Sequence, residues 1–169
     1  MKKIKVLIID DSVIVRSIIE KGLSNNPSIE IVGKAGDVFT ARDKIIFRQP
    51  DVITLDVEMP KMNGIEFLKR LMPQYPIPAI MVSAHTGPGG HLTLEALEYG
   101  AIDFVLKPSA LKGNQLSSMI DELITKIKIA SKTDVSFWKE IKIRDQYLPR
   151  IGSLIPSLEK SPEIIIGIG

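Results

Sequence analysis

Apolar residues fall into five short runs that are typical of buried strands in a parallel sheet. The runs lie at residues 6–9, 29–32, 52–55, 79–82 and 102–106. They are rich in β-branched residues and mostly apolar, without the strict apolar-polar alternation of a half-exposed strand, as expected where both faces of a sheet are covered. The pattern therefore predicts five central strands.

Helical periodicity separates the runs. A stretch with apolar residues at helical spacing follows each predicted strand, and the clearest covers residues 114–130. The apolar positions are Val15, Ile18, Ile19 and Leu23; Val38, Ala41 and Ile45; Ile65, Phe67, Leu68 and Leu71; Leu92, Leu94, Ala96 and Leu97; and Leu116, Met119, Ile120, Leu123, Ile124 and Ile127. Five strands alternating with five helices predict an α/β fold with a flavodoxin-like, doubly wound parallel sheet.

The alternation stops after residue 130, so we expect residues 1–130 to form the main domain. Residues 131–163 contain several prolines and are interpreted as an interdomain linker. Three aromatic residues, Phe137, Trp138 and Tyr147, make part of this linker too apolar for a disordered tether. We interpret Trp138 as a packing anchor, with a partner-binding surface as the alternative. Residues 164–169 form a new apolar run, interpreted as the first strand of a second domain.

Polar residues stand at the ends of four predicted strands. Asp10 and Asp11 follow the first strand, Asp56 the third, Ser83 the fourth and Lys107 the fifth. The carboxyl ends of parallel strands meet at one edge of the sheet, where ligands gather. Neighbouring carboxylates repel one another unless a cation intervenes, and an all-oxygen ligand set favours Mg²⁺ or Mn²⁺ over Zn²⁺. A carboxylate beside such a cation and a lysine can attack phosphorus and form an aspartyl phosphate.

A constrained loop follows Asp56. Pro60 and Gly64 turn the chain away from the strand before the next helix begins. The loop is expected to leave the Asp56 carboxylate facing the crevice at the sheet edge.

Composition excludes several other kinds of site. The chain has no cysteine, which rules out disulfides, thiolate metal sites and cysteine nucleophiles. Its formal net charge is +2, and no basic stripe interleaved with aromatic residues supports nucleic-acid binding. No apolar run is long enough to cross a bilayer. We therefore expect no membrane insertion, no nucleic-acid partner and a cytoplasmic setting.

Four motifs in combination resemble the response-regulator receiver domain, over about residues 4–128. They read Val-Leu-Ile-Ile-Asp-Asp-Ser, Leu-Asp-Val-Glu-Met-Pro-Lys-Met-Asn-Gly, Met-Val-Ser-Ala and Asp-Phe-Val-Leu-Lys-Pro, and each falls at a strand end. The resemblance implies that Asp56 is the phosphoacceptor. It also implies that Asp10 and Asp11, with Asp56, bind the metal ion, usually Mg²⁺.

The same resemblance assigns the remaining site residues. It implies that the backbone carbonyl of Glu58 is a further metal ligand and that Lys107 contacts the phosphate. Ser83 is implied to be the switch hydroxyl and Phe104 the rotating aromatic side chain of the switch. A cis peptide bond is implied before Pro108.

Within this family the chain looks most like the receiver of the chemotaxis protein-glutamate methylesterases. That resemblance implies a chemotaxis histidine kinase as phosphodonor, and a longer parent that acts on methylated chemoreceptors. The parent would be a carboxylic ester hydrolase with glutamine deamidation as a second activity. Its catalytic serine would lie beyond residue 169, so this chain is expected to carry out only its own aspartate phosphorylation and dephosphorylation.

Two alternatives remain open. One is a receiver that acts alone or controls a different output domain, such as a DNA-binding domain. The other is an enzyme on the same fold, either a haloacid-dehalogenase-like phosphatase or a dinucleotide-binding oxidoreductase. The phosphatases are typified by Asp-x-Asp after the catalytic strand, and the oxidoreductases by Gly-x-Gly-x-x-Gly after the first strand. This sequence has neither motif at the corresponding position.

Overall fold

The sheet contains five parallel strands with a helix after each strand. The computed structural model describes residues 2–84 and 90–139. The strands are β1 (Ile4–Ile9), β2 (Ile29–Ala35), β3 (Val52–Leu55), β4 (Ala79–Ser83) and β5 (Asp103–Leu106). Their order is β2-β1-β3-β4-β5, and every neighbouring pair is parallel. The predicted flavodoxin-like fold is confirmed.

The helices are α1 (Val13–Ser24), α2 (Val38–Arg48), α3 (Gly64–Leu71), α4 (His91–Glu98) and α5 (Gly113–Ala130). The first three begin at a side chain that accepts a hydrogen bond from a free backbone N–H of the first turn. Ser12 accepts from Val15 at 3.2 Å, Asp37 from Thr40 at 2.8 Å, and Asn63 from Glu66 at 2.8 Å. Ser12 is therefore the N-cap of α1.

Each face of the sheet packs against its own set of helices. Helices α2, α3 and α4 cover one face, where Leu7, Ile53 and Met81 point into the core. Helices α1 and α5 cover the other face, where Val6 and Ile80 point into a second core. Successive strand residues point to opposite faces, so burial on both sides accounts for the mostly apolar character of the strands.

Helix α4 presents a different face to the core than its leucines suggest. Its buried residues are Thr93 and Ala96, whereas Leu94 is 59% exposed and Leu97 is 43% exposed. Each helical residue is rotated by about 100° from the one before it. A helix that turns Thr93 and Ala96 inward therefore turns Leu94 and Leu97 toward the outside.

The chain stays packed on the domain after α5. Val135 is buried in the core that contains α3 and α4, and Trp138 packs against the same core. The Trp138 ring lies on the backbone of Gly100, where an added Cβ would lie 3.0 Å from Cε2 of the ring. This contact agrees with the interpretation of Trp138 as a packing anchor. The remainder of the expected linker, and the expected strand at 164–169, lie outside the described residues.

Among residues 2–84 and 90–139, no helix combines the length and the apolar character needed to span a bilayer.

Candidate functional site

The strand order places the predicted site residues along one edge of the sheet. β1 and β3 are neighbours, and the Asp56 N–H donates to the Ile9 carbonyl at 2.9 Å, just past the last paired residues. β4 and β5 are also neighbours, and the Lys107 N–H donates to the Ser83 carbonyl at 2.9 Å. The end of each strand is thus fixed by its neighbour.

The three aspartates form a compact acidic cluster. One carboxylate oxygen from each of Asp10, Asp11 and Asp56 lies within 4.8 Å of the others. Asp10 and Asp56 are 1% and 4% exposed, whereas Asp11 is exposed to solvent. The cluster is buried on the protein side and open on one side, as a site for an exchangeable ligand requires.

Lys107 balances only part of this charge. Its Nζ lies 2.6 Å from Asp10 Oδ2 and 3.4 Å from Asp56 Oδ1. Three carboxylates and one ammonium leave a formal charge of −2 when all are ionised. Within the described residues, buried Asp10 Oδ2 accepts no hydrogen bond and has only its ionic contact with Lys107. A partly hydrated divalent cation with oxygen ligands fits this donor set.

The electrostatics of the cluster appear in the pKa of Asp56. Burial, followed by the charge of Asp10, raises the pKa of Asp56 from 3.8 to about 6. Lys107 and the Glu58 N–H, which lies 3.3 Å from Asp56 Oδ1, act in the opposite direction and lower it. Burial and the charge of Asp10 together outweigh these two contacts, so the ionised form of Asp56 is disfavoured in the absence of a cation.

The loop after Asp56 is held closely against the strand end. The Gly64 N–H donates to the Val57 carbonyl at 2.8 Å, and a Cβ at Gly64 would overlap the Asp56 carbonyl oxygen. Gly64 is thus required for close backbone approach beside the phosphoacceptor candidate. Glu58 lies in this loop and contacts Asp56 through its N–H. The metal-ligand role of the Glu58 carbonyl stays a prediction.

The two predicted switch residues are both buried on the strands next to the cluster. Ser83 at the end of β4 is 1% exposed, and Phe104 in β5 is 8% exposed and belongs to the core beneath α3 and α4. Their movement on phosphorylation stays a prediction. The described residues contain no cis peptide bond, so the expected cis bond before Pro108 is wrong. A trans bond is the ordinary preference of an X-Pro peptide.

A group of charged residues that we did not single out from the sequence holds the backbone of Phe104. Lys126 of α5 donates to the Phe104 carbonyl at 2.6 Å and to Glu122 at 2.8 Å, and it lies 3.3 Å from Asp103. Asp103 in turn accepts from the Phe104 N–H at 2.7 Å. We call Asp103, Glu122 and Lys126 the β5 clasp.

The β5 clasp is electrostatically favourable despite partial burial. Burial alone would lower the pKa of Lys126, but its hydrogen bond to Glu122 and the charge of Asp103 outweigh burial and raise it. The Glu122 and Lys126 pair is visible in the sequence as an i, i+4 pair on a helix. Its contact with β5 joins residues 22 positions apart and has no local signature.

Comparison with known proteins identifies the family. The family model described as "Response regulator receiver domain" matches residues 6–121. The chain belongs to the response regulator receiver family. This membership also decides against the phosphatase and the dinucleotide-binding oxidoreductase as the class of the domain.

Relatives within the receiver family carry a common name. Two are called protein-glutamate methylesterase/protein-glutamine glutaminase. The protein from Syntrophotalea carbinolica is 57% identical over 138 residues, which is 82% of this chain and 39% of the relative. The protein from Syntrophus aciditrophicus is 47% identical over 169 residues, which is 100% of this chain and 48% of the relative. The chain spans less than half the length of these relatives.

A solved receiver structure matches in sequence and in fold. The response regulator domain of Thermotoga maritima CheB is 41% identical, with a TM-score of 0.74. The match covers 79% of this chain and 99% of that chain. The fold, the acidic cluster and the sequence similarity therefore all agree with a receiver domain like that of CheB.

Proposed function

We propose that this receiver takes a phosphoryl group on Asp56 with Mg²⁺ and thereby controls a protein-glutamate methylesterase. The observation that carries the proposal is the acidic cluster: Asp56 lies beside two further aspartates and within 3.4 Å of Lys107. The group has a nucleophile, oxygen ligands for a cation and a fixed ammonium. Among residues 2–84 and 90–139, the acidic cluster includes no histidine that could act as a general base.

The chemistry follows from the side chains present. A carboxylate oxygen of Asp56 attacks phosphorus, an O–P bond forms, and the bond between phosphorus and the donor breaks. The leaving group departs with the bonding electron pair, so a phosphohistidine donor would leave as imidazole and take a proton from solvent. Mg²⁺ bound by Asp10, Asp11 and Asp56 would neutralise negative charge on the phosphoryl oxygens. Lys107, whose Nζ lies 3.4 Å from Asp56 Oδ1, would pair with one of these oxygens after phosphorylation.

Regulation would use the strands beside the site. In this proposal the phosphoryl group attracts the Ser83 hydroxyl and Phe104 changes its packing, which alters α4 and β5. Both elements expose leucine side chains at their surface, Leu94 and Leu97 on α4 and Leu106 on β5, with exposures of 59%, 43% and 48%. We propose that the catalytic domain of the parent methylesterase contacts this surface in the unphosphorylated state, and that phosphorylation relieves the obstruction.

The phosphodonor and the final targets are inferred from the resemblance to chemotaxis protein-glutamate methylesterases. A methylesterase of this kind would receive its phosphoryl group from a chemotaxis histidine kinase and would act on methylated chemoreceptors. Relatives 47% to 57% identical carry the methylesterase name. A solved DNA-binding response regulator from Staphylococcus aureus is only 24% identical, which supports the shared fold alone. The similarity thus favours the methylesterase over a DNA-binding output.

The phosphorylation proposal is tested by intact mass measurement after incubation with acetyl phosphate. We expect a phosphoryl mass gain that requires Mg²⁺ and is absent in Asp56→Asn. Asp121→Asn is a matched control, because Asp121 is exposed on α5 and lies outside the cluster. A mass gain that persists in Asp56→Asn, or no gain in the folded wild-type chain with Mg²⁺ bound, would contradict the proposal.

The output is tested separately by reading the coding sequence beyond codon 169. A glycine-rich loop with a serine, following the apolar run at 164–169, supports the methylesterase. A helix-turn-helix pattern in that position contradicts it and leaves the phosphorylation chemistry untouched.

A further inference from the structure

Asp10 is held through its backbone as well as its carboxylate. Its N–H donates to the Ala35 carbonyl at 3.0 Å, and Oδ1 accepts from the Ser12 N–H at 2.9 Å. The Asp10 carbonyl accepts a hydrogen bond from Arg16 Nη1 at 2.6 Å. Arg16 therefore contacts the residue that supplies a buried carboxylate to the acidic cluster, but it contacts the main-chain carbonyl and not the carboxylate.

The path of Arg16 to this carbonyl is set by the start of α1. Its own N–H donates to the carbonyl of Ser12, which places Arg16 at the end of the first turn. Side chains on a helix tilt toward the N-terminus, so the guanidinium extends back over the turn to the end of β1. A positive charge near a helix N-terminus is unfavourable by itself, and the contact with Asp10 offsets this.

Gly36 leaves the space through which the guanidinium passes. A Cβ at Gly36 would lie 2.8 Å from Arg16 Nη1 and 3.4 Å from its Cζ, so the group lies on the glycine backbone. Gly36 does not have a positive φ, in contrast to Gly100 and Gly113. The absence of a side chain at Gly36 therefore provides space for Arg16 and does not serve a special backbone conformation.

We propose that Arg16 is a positioning residue of the metal site. By fixing the Asp10 carbonyl, it holds the Asp10 carboxylate toward Asp11 and Asp56, and Gly36 permits the contact. The inference rests on the proposed function, because Mg²⁺ is the cation assigned to the cluster. Removal of groups that orient metal ligands weakens metal binding about 10- to 100-fold in general, and we expect about tenfold here.

Charge and positioning predict opposite results for Arg16. The guanidinium is a positive charge beside a cluster that attracts a cation, so its charge alone weakens Mg²⁺ binding. If charge were its main effect, Arg16→Met would bind Mg²⁺ more tightly than the wild type. If Arg16 positions Asp10, the same variant binds Mg²⁺ more weakly. The sign of the change therefore separates the two roles.

The experiment is calorimetric titration of Mg²⁺ into the 169-residue chain and three variants. Arg16→Met keeps the aliphatic stem and removes the guanidinium, and Gly36→Ala keeps the charge but displaces it. Lys21→Met is the matched control, since it removes one positive charge from the exposed last turn of the same helix. Thermal unfolding in EDTA checks that each variant is folded without metal.

We expect the dissociation constant to rise about tenfold in Arg16→Met, to rise in Gly36→Ala, and to stay unchanged in Lys21→Met. Phosphorylation by acetyl phosphate should be slow in Arg16→Met at low Mg²⁺ and recover when Mg²⁺ saturates the variant. Unchanged or tighter binding by Arg16→Met, or unchanged binding by Gly36→Ala, would overturn the positioning role.

Failure of this inference is distinguishable from failure of the proposed function. A wild-type chain that binds no Mg²⁺ and gains no phosphoryl group refutes the proposed function itself. A wild-type chain that does both, beside an Arg16→Met variant with full affinity, refutes only the role of Arg16.

Discussion

Replacing Asp56 by asparagine should stabilise the metal-free domain at neutral pH. In the folded state burial and Asp10 raise the pKa of Asp56 from 3.8 to about 6. Between pH 3.8 and about 6 the folded state therefore binds a proton that the unfolded state has lost. The free energy of unfolding must fall as pH rises through this window, and this loss of stability reaches its full size above pH 7.

The size of this cost follows from the two pKa values. A tenfold change in an acid constant is worth about 1.4 kcal/mol, so the difference between 3.8 and about 6 corresponds to about 2–3 kcal/mol. Asp56 is 4% exposed, so solvent screens little of the effect. Domains have net stabilities of about 5–15 kcal/mol, which makes the expected change large enough to measure. The pairing of Asp56 with Lys107 is already included in the raised pKa.

The assay is urea unfolding in EDTA at several pH values from 4 to 8, followed by far-ultraviolet circular dichroism. We expect Asp56→Asn to have a higher free energy of unfolding than the wild type, and this difference should grow by about 2–3 kcal/mol as the pH rises from 4 to 8. Asp121→Asn, which alters an exposed carboxylate, should follow the wild type. Parallel curves for Asp56→Asn and the wild type across the whole range would refute the reasoning. Added Mg²⁺ should stabilise the wild type more than Asp56→Asn, because the variant has lost one carboxylate ligand.

Three further predictions concern stability. The Thr54 hydroxyl is buried without a hydrogen-bond partner in the described part of the chain. Thr54→Val should therefore raise the free energy of unfolding by about 1 kcal/mol. A lower free energy of unfolding for this variant in urea would contradict the prediction. Asp37→Ala should cost about 1 kcal/mol at pH 7 through loss of the α2 cap. Because the Thr40 N–H lowers the pKa of Asp37, the difference should shrink as pH falls below 3.8, and a difference that is constant with pH would contradict the cap. Trp138→Ala should lower the free energy of unfolding by about 2 kcal/mol. Phe137 is 49% exposed, so Phe137→Ala should lower it by less than about 0.5 kcal/mol. Equal losses for the two variants in urea unfolding would refute the anchoring role of Trp138.

The sequence was sufficient to predict the fold and the proximity of the main candidate residues, because both depend on regular features. Parallel strands buried on both faces leave long apolar runs, and their ends mark one edge of the sheet. Asp10, Asp56 and Lys107 stand directly at such ends, so their proximity follows from topology. The side chain of Ser12 caps α1 by a contact three residues away, which is also local.

The features that could not be predicted depend on which surfaces meet in three dimensions. The spacing of Leu94 and Leu97 indicates a helix but does not decide that Ala96 faces the sheet. The hydrogen bond from Arg16 to Asp10 depends on the angle at which α1 leaves β1 and on the open backbone of Gly36. Lys126 reaches β5 only because α5 packs beside that strand. None of these contacts has a fixed sequence spacing.

The β5 clasp has a consequence for how other proteins can approach the sheet. β5 is the last strand of the sheet, and an uncovered strand of this kind is a template for pairing with a strand from another molecule. At Phe104 both backbone polar groups are already bonded to the side chains of Asp103 and Lys126. An incoming strand would find neither a free donor nor a free acceptor there. The addition of a strand at Phe104 therefore requires the clasp to open first.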